Sequence, residues 1–437
     1  MSEGLVQTKV KEYLGKIKKD NKKMNIFLHL NENALKEAKE IDEKKQKGRL
    51  YGYVFAIKSN INVKGMITNC ASHVLENYVA PYDASVIEKI RREDGVIIGM
   101  TNMDEFAAGS SGENSAFGCC VNPACVGRVP GGSSSGSAAA VAGGFCDVAL
   151  GSDTGCSIRT PASHCGIVGV KPSYGCVSRY GLIDLGMSLD QIGPLATNVN
   201  DALLVLDVIR GKDERDTQTF ESNYIELEKL EKAKIGVLRI KGVDSRIQKL
   251  IDSRIDSVIK KNKWEAKEIK IDYIDLAVQT YYPLVYAEFF SGTRRFDGRR
   301  YGYKIEEKCG PEVLRRILGG AEMTKAEFKG DYYKKALAVK ELIRKEFEKV
   351  FEKYDAVILP MCPGLPWKVG EGDKMDVEEI YAYDALAIPA NLAGLCSICI
   401  PAGKIKEGKE EVPVGIQIMS GKGQEGKMFG IAKEFEL

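Results

Sequence analysis

The sequence predicts an α/β protein built as one large domain, and three observations carry that reading. Short apolar runs of strand length alternate with segments of helical periodicity, as at residues 53–57, 84–93 and 96–99; this is the pattern of a sheet covered by helices. The 437 residues are 44% hydrophobic, enough for a sizeable core. Over the first 200 residues the loops interleave tightly with the strands, with no clean linker and no internal repeat.

Taken in order, residues 5–48 are charged, with apolar stripes at Val6, Val10, Tyr13, Leu14 and Ile17 and at Leu35, Ala38 and Ile41. They predict surface helices, so residues 1–48 are expected to be a helical segment packed on a main domain of residues 49–437. The strand at 53–57 runs into Lys58. A lysine ending an apolar strand is unusual because burying an ammonium is costly, although a snorkelling surface lysine fits the local sequence equally well. A helix at 84–93 and a strand at 96–99 lead into a polar, glycine-rich loop at 101–114, and such loops carry function more often than packing. Later strands are expected at 167–170, 234–239, 356–359, 397–400 and 414–419. Helices are expected at 199–209, 245–261, 312–320 and 332–351. Residues 174–182 are turn-rich, 213–232 are a charged excursion, and 281–303 are rich in aromatic residues and arginine.

Composition excludes some functions. A net charge of +2 argues against an overall basic nucleic-acid binder. Lys9, Lys11, Lys16, Lys18 and Lys19 interrupt any signal-peptide core, and no apolar run approaches the roughly 18 to 20 residues of a membrane span. A soluble, cytoplasmic protein is expected. The twelve cysteines lack zinc-ligand spacing: Cys119, Cys120 and Cys125 cluster, but no second Cys/His pair follows. Most others sit among apolar or small residues, where free cysteine packs as a small hydrophobe. No metal site and no disulfide is expected.

The densest chemical signal lies at 131–161. Gly131, Gly132, Ser133, Ser134, Ser135 and Gly136 form one small-residue loop, and Gly151, Ser152, Asp153, Thr154, Gly155, Cys156 and Ser157 form another. A short helix at 137–142 and a strand at 146–150 are expected between them. Small residues let a backbone approach closely and aim its N–H groups at a negatively charged oxygen. A flexible linker would not continue into Ala138, Ala139 and Ala140, and a phosphate loop would continue into Gly-Lys-Ser/Thr. The three histidines, His29, His73 and His164, have no triad-like neighbourhood. If Ser157 is a nucleophile, its proton must therefore go elsewhere, and a lysine held neutral by burial can take it. Lys58 fits that need. Ser133 suits a bridging hydroxyl, which both donates and accepts. The N–H groups of Thr154, Gly155, Cys156 and Ser157 suit an oxyanion hole.

The run Gly-Gly-Ser-Ser, then small residues, then Gly-Ser-Asp-Thr-Gly-x-Ser-Ile-Arg-x-Pro resembles the signature of the amidase signature family. The resemblance implies a mixed β-sheet wrapped by helices and a Ser-cis-Ser-Lys triad, falling here on Ser157, Ser133 and Lys58. Segments at 102–106, 113–118, 177–182, 188–194 and 295–302 are similar, within that family, to the glutaminase (A) subunits of the glutamyl-tRNA(Gln) amidotransferases. That similarity implies hydrolysis of glutamine and delivery of ammonia to a B subunit. The B subunit, with a small C subunit, would use ATP and magnesium to convert Glu-tRNA(Gln) to Gln-tRNA(Gln). No cofactor is implied for this chain, and charged tRNA is implied to bind mainly through the partner. By the same resemblance Arg316 would clamp the substrate carboxylate, with Arg315 adjacent. Asp384 would meet the ammonium, and Tyr282, beside Tyr281, would contact the substrate. A surface ion pair, a helix-end charge and core packing are the plainer readings of these three. Ser59 and Cys156 stand where the family commonly has aspartate and glycine. A stand-alone amidase for small amides is the alternative, and a catalytically silent scaffold subunit is a second.

Overall fold

The computed structural model describes residues 4–222, 224–300 and 302–437; Tyr301, part of the 295–302 segment, lies outside them. Its centre is an eleven-stranded sheet. In chain order the strands are β1 (Phe27–Leu30), β2 (Val54–Lys58), β3 (Val96–Thr101), β4 (Val148–Asp153), β5 (Val168–Lys171), β6 (Gln191–Ala196), β7 (Lys234–Leu238), β8 (Glu265–Ile269), β9 (Ala356–Pro360), β10 (Cys396–Glu407) and β11 (Glu410–Ser420). Their order across the sheet is β1-β3-β2-β4-β6-β5-β10-β11-β9-β7-β8. Parallel pairs at β2–β3, β2–β4, β7–β8 and β7–β9 coexist with antiparallel ones elsewhere, so the sheet is mixed, as expected.

Helices pack around it: α1 (Leu5–Met24), α2 (Ala34–Glu43), α3 (Ser85–Arg92), α4 (Ser135–Ala142), α5 (Arg159–Cys165), α6 (Val199–Ile209), α7 (Ser245–Asn262), α8 (Ala277–Thr293), α9 (Ile305–Lys308), α10 (Pro311–Met323), α11 (Asp331–Phe351), α12 (Val377–Ala382), α13 (Ile388–Leu392) and α14 (Glu425–Phe435). β2 and β4 are buried along their whole length, which explains why they read as continuous apolar or small-residue runs rather than as alternating ones.

The sequence reading names no element at β6, α5, α9, α12, α13 or α14, and three further regions depart from it. The helical segment at 5–48 also contains β1, four residues that pair antiparallel with β3 (Leu30 opposite Gly99) and bring the segment into the sheet. The aromatic stretch from 281 is largely helix α8, which carries Pro283 inside it; proline lowers the local helix signal because it removes a backbone donor. β8, Glu-Ala-Lys-Glu-Ile, is an exposed edge strand with no apolar face to read, and its charges suit an edge that must not pair further. Residues 213–232 carry no helix or strand among the described residues.

Candidate active site

Three neighbouring parallel strands, β3, β2 and β4, end on the same edge of the sheet. Lys58 is the last residue of β2 and pairs in register with Thr101 at the end of β3, and Ile57 lies opposite Leu150 of β4. Carboxyl ends of parallel strands are where α/β folds place their chemistry. This register sets Lys58 beside Ser152. Lys58 Nζ lies 2.7 Å from Ser133 Oγ, 2.9 Å from Ser152 Oγ and 3.2 Å from the Ser152 carbonyl. The side chain is completely buried and does not snorkel. Burial lowers its pKa to about 7, while the nearby Asp104, Asp153 and Asp190 pull the other way.

Ser133 stands just before α4, on a cis Gly132–Ser133 peptide. Only glycine fits at 132, since a Cβ there would collide with Asp104 Oδ2. Asp104 comes from the polar loop after β3. It accepts the N–H groups of Gly112 and Asn114 at 3.0 Å and donates its own N–H to the Ser133 carbonyl at 3.1 Å. Burial raises its pKa to about 6. Ser134 N–H donates to the Ser157 carbonyl at 3.1 Å, joining the two small-residue loops.

The turn from Thr154 to Ser157 leaves the end of β4. Among the described residues, none accepts a hydrogen bond from the N–H groups of Gly155, Cys156 or Ser157. The turn is held from behind by a buried ion pair, Asp153 with Arg159, at 3.0 Å. Arg159 also donates to the carbonyls of Gly155 (2.8 Å) and Ala387 (2.9 Å) and to Asn391 Oδ1 and Gln417 Oε1 (both 2.5 Å). Asp153 Oδ2 accepts the N–H of Ile158 at 3.0 Å. Burial would raise the Asp153 pKa, but the Arg159 charge and these hydrogen bonds outweigh it and hold it at about 2. Thr154 donates to Asp190 Oδ1 at 2.5 Å, and burial raises that carboxyl to about 7. Sequence reasoning missed Ser152, Asp104 and the Asp153–Arg159 pair as parts of the site. The signal for the last was an ionisable pair inside a run of small residues.

Beside this turn lies a cavity of about 500 Å³. The three residues assigned to substrate, Tyr282 on α8, Arg316 on α10 and Asp384 after α12, all line it. Asp384 Oδ2 lies 3.4 Å from Tyr282 Oη, and Asp384 Oδ1 lies 3.3 Å from Cys156 Sγ. The Arg316 guanidinium sits 5.7 Å from the Tyr282 ring, which stacks on Tyr381 at 3.7 Å. Arg316 is 4% exposed and anchored by Glu312 at 2.8 Å, whereas the Arg315 side chain is 45% exposed. Arg316 is thus the buried arginine of the two. Tyr281 packs instead on Gly155, where a Cβ would meet its ring at 2.9 Å. Burial raises the Asp384 pKa to about 6, opposed by hydrogen bonds from Cys156, Ser110 and Tyr282 and by the Arg316 charge. Ser157 is 4% exposed and is not itself on the cavity wall; its neighbour Cys156 links the turn to the cavity through Asp384. His164 is buried 3.1 Å from Tyr383 Oη, and burial lowers its pKa to about 3, which fits a structural ring.

A family model described as Amidase matches residues 8–429. The chain belongs to the amidase family. A relative from Methanocaldococcus jannaschii, named as the A subunit of glutamyl-tRNA(Gln) amidotransferase, is 50% identical over 99% of both chains. One of the same name from Methanothermobacter thermautotrophicus is 48% identical over 97% of this chain and 94% of its own. A crystal structure of the protein of that name from Thermotoga maritima superposes with a TM-score of 0.82 at 37% identity, covering 97% of this chain and 89% of its own. The peptide amidase of Stenotrophomonas maltophilia gives 0.83 at 26% identity, covering 99% and 93%. This amidase-family enzyme therefore shares its fold with a peptide amidase as well as with an amidotransferase component.

Proposed function

We propose that this amidase-family enzyme is the glutaminase subunit of a tRNA-dependent amidotransferase. One observation carries the reading: a buried lysine, poised near neutrality and 2.7 Å from Ser133, lies behind a turn that reaches, through Cys156 and Asp384, a cavity lined by a guanidinium, a carboxylate and a phenol. An arginine fork suits a carboxylate, a carboxylate suits an ammonium, and the two together suit a free α-amino acid.

In the reaction, Ser157 Oγ attacks the side-chain amide carbon of glutamine. Its proton passes to Ser133 Oγ as the Ser133 proton passes to Lys58 Nζ. The free N–H groups of the 154–157 turn hold the tetrahedral oxyanion, a donor set worth about 100- to 1,000-fold per donor. As the intermediate collapses, Ser133 protonates the leaving nitrogen and Lys58 returns a proton to Ser133. Ammonia leaves and a glutamyl ester remains on Ser157. Water, giving its proton to Ser133 and Lys58, attacks the ester carbon; as that intermediate collapses the proton returns through Ser133 to the leaving Ser157 Oγ, and glutamate is released.

The identity to relatives named as amidotransferase A subunits supports a place in an assembly with B and C subunits. ATP, magnesium and the charged tRNA would then act at the partner, converting Glu-tRNA(Gln) to Gln-tRNA(Gln) in the cytoplasm. Ammonia release from glutamine, measured on the chain alone and with its partner subunits and Glu-tRNA(Gln), is the test. Release that rises strongly with the complex is expected, and Ser157→Ala should abolish it while leaving cooperative unfolding intact. Equal release by the chain alone, with preference for simple amides, would turn the reading to a free-standing amidase.

A further inference from the structure

Lys58 faces two hydroxyls, and the relay above uses only one. Ser152 Oγ lies 2.9 Å from Lys58 Nζ and 3.0 Å from Asn60 Nδ2, and all three side chains are buried. A neutral lysine amine has two N–H donors and one lone pair. The Ser152 carbonyl can only accept, so at 3.2 Å it takes one N–H. The lone pair must meet the Ser133 O–H if Ser133 is to pass its proton to Lys58. The second N–H is then left for Ser152 Oγ, which must accept it and find another acceptor for its own proton.

The other neighbour of that hydroxyl is Asn60, whose Oδ1 is buried and unpartnered. Its Nδ2 holds Ser152 Oγ and, at 3.4 Å, the carbonyl of Ile183. The two ends of an amide have nearly the same shape. A half-turn of the Asn60 amide gives the Ser152 proton an acceptor and gives Oδ1 a donor; it gives up the 3.4 Å contact and moves Nδ2 to the place where Oδ1 now has no partner. We propose that Asn60, turned so that its oxygen accepts the Ser152 O–H, is a positioning residue that keeps the Lys58 lone pair aimed at Ser133. This rests on the Ser157–Ser133–Lys58 reading. Without the Asn60 oxygen, the Ser152 O–H is free to donate into the Lys58 lone pair and compete with Ser133.

The test is the pH profile of glutamine hydrolysis by the chain with its partner subunits. Asn60→Ala should lower kcat about tenfold at every pH, the scale of one buried hydrogen bond, with KM for glutamine little changed. Asn60→Asp keeps an acceptor for Ser152 but adds a negative charge to the Asp104, Asp153 and Asp190 that already face Lys58. Its acid limb should move up by about one pH unit, and its rate should recover towards wild type above that limb. Ser152→Ala removes the competing hydroxyl itself, so it should lower kcat less than Asn60→Ala does, and adding it to Asn60→Ala should recover rate rather than lose more, as expected for two residues acting as a unit. An Asn60→Asp enzyme that stays as slow as Asn60→Ala at high pH overturns the proposal, as does full additivity in the double variant. Should Asn60→Ala fail to fold, Asn60→Asp and Ser152→Ala decide: recovery above the shifted limb in the first and a small, pH-independent loss in the second support the proposal, and an Asn60→Asp enzyme still slow at high pH overturns it. Lys58→Ala and Ser157→Ala run alongside. Normal turnover in either overturns the relay itself, whereas two dead controls with no shift in Asn60→Asp overturn only the role of Asn60.

Discussion

Lys58 and Asp384 divide the expected pH behaviour between turnover and binding. The relay needs Lys58 neutral, and burial has brought its pKa to about 7. Turnover at saturating glutamine should therefore climb as pH rises through about 7, in a plot of kcat against pH. A flat profile from pH 5 to 9 would contradict that. Asp384 must be ionised to hold an ammonium, and its pKa is raised to about 6, so KM for glutamine should climb as pH falls below about 6. The Cys156 thiol, 3.3 Å from Asp384 Oδ1, favours the ionised carboxylate. Cys156→Gly removes that donor, and the rise in KM should then begin at a higher pH. The local sequence could not decide between a buried and a snorkelling Lys58, because the answer depends on β3 and β4 covering both flanks of β2. Ser152 went unnoticed for a related reason: its partnership with Lys58 exists only through the parallel register of two strands far apart in the chain.

At the scale of elements, the α5 start and the β4 end are held by Asp153 and Arg159. A buried ion pair is a weak stabiliser against an apolar substitute, but removing one partner strands the other charge. Arg159→Met should thus destabilise the protein by about 3–5 kcal/mol, read from urea unfolding at pH 7. The Asp153 pKa is depressed in the folded state, so its contribution is present above the ordinary aspartate range and is lost as pH falls towards about 2. The gap between wild type and Arg159→Met should narrow over that window. The two loops of the site were legible as a pair because small residues cluster twice around a short helix and strand. Which of Arg315 and Arg316 is buried was not, since both line the cavity and adjacent helical positions differ only in the face that neighbouring elements cover. β1, β6 and β8 were missed: a four-residue strand and a charged edge strand carry almost no periodic signal, and β6, Gln-Ile-Gly-Pro-Leu-Ala, is interrupted by glycine and proline.

The whole molecule is one mixed sheet whose first half holds Lys58, Ser133 and Ser157, and the cavity is walled by the 105–116 loop after β3 together with α8, α10, α12 and their neighbouring loops. The α/β alternation was legible from the chain. The mixed strand directions came only from the family resemblance, because direction is set by which strands meet across the sheet rather than by any local pattern. Arg159 spans the two halves: its guanidinium reaches Ala387, Asn391 and Gln417, more than 220 positions further along the chain. During synthesis, then, the three side chains of the proposed relay emerge long before the residues that Arg159 reaches. A ribosome-tethered chain stopped short of β11 should carry every reacting group and release no ammonia from glutamine, and release should begin once β11 is added. The arrival of β11 would itself arm the enzyme, so a nascent chain that lacks it does not spend glutamine.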